Sequence, residues 1–247
     1  MSAYAFLGAG EFEDWHVEID RSLLEGRSGP VLVFATASAP EGDEVYQRWV
    51  DKGLKHYADA GIEAVSPSLR THDDANDPAI VAQVGEASTV FFSGGNPAYL
   101  AKVLLGTPVW QRIRDRVADG SLAYGGCSAG VACLSDPTFD SAADDPERVW
   151  APGLGHFPEV LFAPHWDIVE TWIPGAHAFI ASATPNGGTL VAIDEQTAIV
   201  GDGTQWSTHG VGGVYLHRDG AWVAEYRTGD RWELAMSVGG GPAPAAG

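Results

Sequence analysis

The sequence predicts an α/β protein of three layers, a doubly wound, mostly parallel sheet between helices, with extra β-hairpins near the C-terminus. Three observations carry this. Short apolar runs alternate with longer amphipathic segments over the first two thirds of the chain, the pattern of parallel strands with covering helices. The last third changes to closely spaced strands joined by Gly and Asp turns. The 247 residues, 45% of them hydrophobic, suffice for one large core. We expect one domain over residues 1–237 and a disordered Gly/Pro/Ala tail at 238–247.

The expected strands of the first half are AYAFLGA (3–9), VLVFATAS (31–38), EAVSPSL (63–69), TVFFSGG (89–95) and LAYGGC (122–127). Between them, Val45, Trp49, Leu54 and Tyr57 recur near helical spacing and stop at Gly61, a C-terminal cap. Asn96 followed by Pro97 opens a helix as N-cap and first turn, and Thr107 opens another in the same way. Residues 136–148, rich in Pro, Asp and small side chains, read as a long loop that is either a lid or disordered. Beyond it, VLFAPHWD, TLVAIDEQTAIVGDG, WSTHGVGGVYLHRDG and AWVAEYRTGDRWEL read as strands, with a hairpin turn at Arg218, Asp219 and Gly220.

A formal charge of −19, with lysine only at Lys52, Lys55 and Lys102, repels phosphate backbones and anionic lipid. Nucleic acid and membrane are therefore not expected as partners. The N-terminus carries no basic leader and no run is long enough to span a bilayer, so a soluble cytoplasmic protein is expected. Cys127 and Cys133 are too few and too close for a disulfide framework or structural zinc, and no metal or organic cofactor is expected. Apolar C-terminal strands could pair across a homodimer.

Chemistry concentrates at GGCSAGVAC. Gly126, Ser128 and Gly130 form Gly-x-Ser-x-Gly after an expected strand and before a short helix, the setting of a nucleophile elbow. Centred on Cys127, the same pattern would need glycine where Ala129 stands, so the register favours Ser128 as nucleophile. A serine needs a base. Among eight histidines His165, in FAPHWD, ends an apolar run where a strand edge would bring it to the elbow. His156, His177 and His209 remain as supporting candidates, while His16, His56, His72 and His217 read as solvated surface. Gly94, Gly95 and Asn96 close a strand and open a helix, where glycine lets a backbone N–H approach an oxyanion.

Together FFSGGN, YGGCSAGVA, APHWD and AIDEQTAIV, in this order over residues 3–205, resemble the dipeptidase E and cyanophycinase family of serine peptidases. That resemblance implies the class I glutamine amidotransferase-like, flavodoxin-like architecture. It implies Ser128 as nucleophile, His165 as general base, and Gly95 with the Ala129 N–H as oxyanion hole. From the residues themselves, Asn96 and Trp166 are expected beside the substrate. For the orienting acid, the dipeptidase pattern points to the 136–148 loop, with Asp144 nearest and Asp136, Asp140, Asp145 and Glu147 also present. The amidotransferase pattern points to Asp167, which we favour because His-x-Asp needs no loop ordering.

The family's acidic specificity relies on basic residues just past the histidine. Here that stretch is IVETWIPGAHAF, without Lys or Arg, and Trp166 and Trp172 suggest an apolar wall instead. The expected function is a serine hydrolase acting on a small peptide or amide. The alternatives are a glutaminase-like enzyme using Cys127 and a non-catalytic or regulatory module; a metal site at His165, Asp167 and Glu170 is poorly spaced.

Overall fold

Period-two alternation on four strands decides which side chains meet which layer. β1 (Tyr4–Leu7), β2 (Val31–Phe34), β3 (Ala64–Val65), β4 (Thr89–Phe92) and β5 (Ala123–Cys127) pair in parallel in the order β1-β5-β4-β2-β3. Tyr4, Phe6, Leu32, Phe34, Val90, Phe92 and Tyr124 point to one core, and Ala5, Leu7, Val31, Val33, Phe91, Ala123 and Cys127 to the other. These strands are apolar on both faces because helices cover both. The computed structural model describes residues 3–145 and 148–239.

On one face lie α1 (Val17–Leu24) and α2 (Asp43–Asp59), which contribute Ile19, Leu23 and Tyr57. The other face receives α3 (Pro78–Glu86), α4 (Pro97–Leu104) and α5 (Pro108–Ala118), capped by the side chains of Asp77, Asn96 and Thr107, each ahead of a proline. Two expected strands are shorter than the sequence suggested: residues 36–41 wind into a 3-10 turn, and β3 keeps only two residues ahead of Pro67.

After β5 comes the four-residue α6 (Ala129–Ala132), then a small hairpin of β6 (Thr138–Phe139) and β7 (Trp150–Ala151), so the anticipated loop is partly paired. β8 (Val160–Pro164) leads into α7 (Trp166–Trp172) and α8 (Ala176–Ser182). The remaining strands are β9 (Thr189–Ile193), β10 (Thr197–Gly201), β11 (Gln205–Gly210), β12 (Gly213–Arg218), β13 (Ala221–Arg227) and β14 (Arg231–Glu233). Among the described residues β10, β11 and β14 extend the central sheet antiparallel from β1, while β13-β12-β9-β8 form a second sheet. Strand β8, which leads directly into His165, thus lies in this second sheet, parallel to β9, and not in the central one. Asp219 and Gly220 at φ 52° and 78° make the β12–β13 turn the I′ type that strand twist favours.

His16 and His56, expected at the surface, are buried instead. Both face Asp20 on α1: His16 Nδ1 lies 3.0 Å and His56 Nε2 2.7 Å from Oδ2, and Tyr57 donates to Oδ1 at 3.3 Å. The donors are close enough to hold a metal. However, His16 Nε2 accepts the Phe12 N–H at 2.6 Å, which puts the ring proton on Nδ1, facing Asp20. The group is a proton-sharing tie between α1 and α2.

Of the expected tail, residues 240–247 lie outside the described residues, and Gly239 instead donates to the His156 carbonyl at 2.9 Å. No helix of the described residues is long and apolar enough to cross a membrane.

Candidate active site

Ser128 sits at the turn between β5 and α6 with φ 52° and ψ −106°, a conformation few L-residues adopt. Its two glycine neighbours are required by space. A Cβ on Gly126 would fall 2.4 Å from the Gly130 oxygen, and one on Gly130 2.2 Å from the Phe92 oxygen. Such strain, kept by the surrounding packing, is typical of functional sites.

The residue before it points the other way. Cys127 is fully buried against the α1/α2 face, and its Sγ donates to Glu11 Oε2 at 3.1 Å. Burial first, and the Glu11 carboxylate second, push the thiol well above its ordinary value. Cys133, also buried, is raised to about 12. A thiol so held is a poor nucleophile. Iodoacetamide should therefore leave both cysteines unmodified in the native protein and alkylate them only after unfolding, read by mass spectrometry; native alkylation at Cys127 would refute this.

His165 follows β8 and precedes α7 in the left-handed conformation, φ 58° and ψ 33°. Its Nε2 lies 2.8 Å from Ser128 Oγ and its Nδ1 2.7 Å from Glu195 Oε1. Glu195 stands in the three-residue turn from β9 to β10. That turn is seated on the end of β1: Gln196 donates to the Ala9 carbonyl at 3.2 Å, and a Cβ on Gly8 would come within 2.0 Å of the Asp194 oxygen.

Neither anticipated acid meets the imidazole. Asp167 Oδ1 accepts the Glu195 backbone N–H at 2.9 Å, because the first turn of α7 carries it beside the turn and not beneath the ring. Asp144 is at the exposed rim of the cleft, and Glu147 lies outside the described residues. Glu195 takes the position expected of Asp167. The available signal was AIDEQTAIV, two apolar runs broken by acids where a strand end reaches β1.

The other candidates separate similarly. Gly95 and Ala129 line a cleft of about 720 Å³ together with Ser128 and His165. Gly95 has φ 139°, and a Cβ there would meet the Ala37 backbone at 2.4 Å. Asn96 does not line the cleft; it caps α4 through Tyr99 N and donates to Asp140 Oδ1 at 2.7 Å. Trp166 is buried in a small core with Leu161 and Leu190 and stacks on His177 at 3.9 Å, so Trp172, not Trp166, stands at the cleft. His156 is bound to Tyr4 in the core, and burial lowers it to about 3. His209 pairs with Ser207 on β11.

The chain is similar to known proteins over much of its length. A cyanophycinase from Nostoc sp. (strain PCC 7120 / SAG 25.82 / UTEX 2576) is 31% identical over 171 residues, covering 67% of this chain and 57% of that protein. The chain thus spans little more than half the length of that relative. A cyanophycinase from Geminocystis herdmanii (strain PCC 6308) is 35% identical over 103 residues, 40% of this chain and 38% of that one. Among solved structures, a peptidase from an acI-B1 actinobacterium superposes with a TM-score of 0.84 at 28% identity, covering 94% of this chain and 96% of that one. A putative peptidase E from Listeria monocytogenes EGD-e shares the fold, with a TM-score of 0.61 at 19% identity over 86% of this chain and 100% of that one. The model of Peptidase family S51 matches residues 5–208, a stretch that runs from β1 through the elbow, the histidine and the β9–β10 turn. By that match the chain belongs to Peptidase family S51.

Proposed function

We propose that the chain is a serine hydrolase that cleaves a small peptide or amide through an acyl-enzyme on Ser128. The observation that carries this reading is one imidazole bridging Ser128 Oγ at 2.8 Å and the Glu195 carboxylate at 2.7 Å. With Nδ1–H donated to Glu195, Nε2 is the unprotonated nitrogen and takes the hydroxyl proton as Oγ attacks the carbonyl carbon. The oxyanion receives the N–H groups of Gly95 and Ala129; the latter is the first residue of α6 and has no acceptor inside its helix. His165 then gives its proton to the leaving amine. Water, deprotonated by the same nitrogen, attacks the ester and frees the acid, and Oγ regains a proton. Membership of a peptidase family supports this chemistry.

Fluorophosphonate should label the wild-type protein at Ser128, and Ser128→Ala should remove the label with unchanged thermal stability. Absence of label on the folded wild-type protein would sink the reading.

A further inference from the structure

The cleft beside Ser128 is walled by Trp150, Trp172, Ile173 and Phe179. Three of these large apolar side chains are unusually open: Trp172 is 58% exposed, Ile173 48% and Phe179 41%. They are grouped. Trp150 stacks on Phe179 at 5.7 Å, and the Trp172 ring lies 5.3 Å from the His165 ring. Contiguous apolar surface next to a reactive group marks a binding wall.

The charge in the cleft has one sign. Apart from His165, the ionisable side chains lining it among the described residues are Asp140 and Asp144; no Lys or Arg does so. Asp140 is held in place, its Oδ1 accepting from Asn96 Nδ2 at 2.7 Å and from Ala142 N at 3.0 Å. Its Oδ2 takes no hydrogen bond from the described residues. Since Asn96 follows Gly95 directly, this carboxylate is tied to the segment expected to hold the oxyanion. A substrate carboxylate entering here would lose water, find no cation, and face two carboxylates. An ammonium group would meet the opposite situation.

We propose that the substrate has a large apolar or aromatic side chain, packed against Trp172 and Phe179, and an ammonium group directed to Asp140, and that acidic side chains are rejected. This rests on the hydrolase reading only in placing the substrate at Ser128; the recognition itself requires no turnover.

The test therefore uses Ser128→Ala, which cannot react, titrated with L-phenylalanyl-glycinamide, its N-acetyl derivative and L-aspartyl-glycinamide, with binding read by calorimetry. The phenylalanyl compound should bind at least about tenfold more tightly than either of the others, a range that pocket complementarity and a paired charge can supply. Trp172→Ala on the same background, at an exposed site that leaves the core intact, should bring the phenylalanyl and aspartyl compounds within about threefold. Asp140→Asn, whose side-chain oxygen still accepts from Asn96 and Ala142, should abolish the effect of N-acetylation. Equal or tighter binding of the aspartyl compound, no binding of any compound at millimolar concentration, or indifference to Trp172→Ala or Asp140→Asn would overturn the proposal. Failure of fluorophosphonate labelling with selective binding intact would instead strike the hydrolase reading.

Discussion

Glu195→Gln should lower kcat by ~10,000-fold with KM little changed, the cost of replacing the acid of a Ser-His-acid triad by an amide. The carboxylate is 2.7 Å from His165 Nδ1 and does two things there. In the proposed mechanism it fixes the tautomer that leaves Nε2 free to accept the Ser128 proton, and it stabilises the imidazolium formed on attack. Gln keeps the size, removes the charge, and can present its NH₂ to Nδ1, which would move the ring proton to the wrong nitrogen. Asp167→Asn is the contrasting variant. Its side-chain oxygen still accepts the Glu195 N–H, so the loss should stay under about tenfold, the equivalent of one ordinary hydrogen bond. Single-turnover rates on a hydrolysed amide, or labelling rates with fluorophosphonate, would measure both; a larger loss in Asp167→Asn than in Glu195→Gln would reverse the assignment.

Asp20→Asn should destabilise the fold by about 3–5 kcal/mol, because it leaves two buried imidazoles without their anion. For a domain of this size that is a fall in Tm of roughly 10 °C. Burial alone would raise the Asp20 carboxyl, but hydrogen bonds from His16 and His56 outweigh it and hold the group below its ordinary value. The unfolded chain therefore takes up a proton at Asp20 more readily than the native one. The stabilisation is complete above about pH 4 and is lost as pH falls through the lowered native value. Urea unfolding of the two proteins across pH 3–7 should show the wild type losing stability faster than the variant at the acid end. Parallel curves would remove Asp20 from the account.

The parallel part of the central sheet was legible because its strands are short apolar runs each followed by a turn or helix signal, and the elbow because Gly126 and Gly130 leave one register. What the sequence did not reveal arises from contacts distant along the chain. Glu195 reaches His165 across thirty positions, through a turn whose seat on β1 is set by pairing and not by local pattern. Asp167 sits at the right spacing from His165, yet α7 begins immediately and its helical rise swings that side chain to a backbone N–H. His16 and His56 look solvated one at a time; only the packing of α1 on α2 shows that they share one carboxylate.

The origin of the three site residues gives the molecule an inbuilt strain gauge. Ser128 rides on the central sheet, His165 on the second, and Glu195 on the short span joining β9 of one to β10 of the other. Sliding of the two layers by about an ångström would part the hydroxyl from the imidazole while every strand stayed paired, and displacement on that scale costs roughly a hundredfold in rate. On warming, catalysis should therefore fade several degrees before circular dichroism registers any melting.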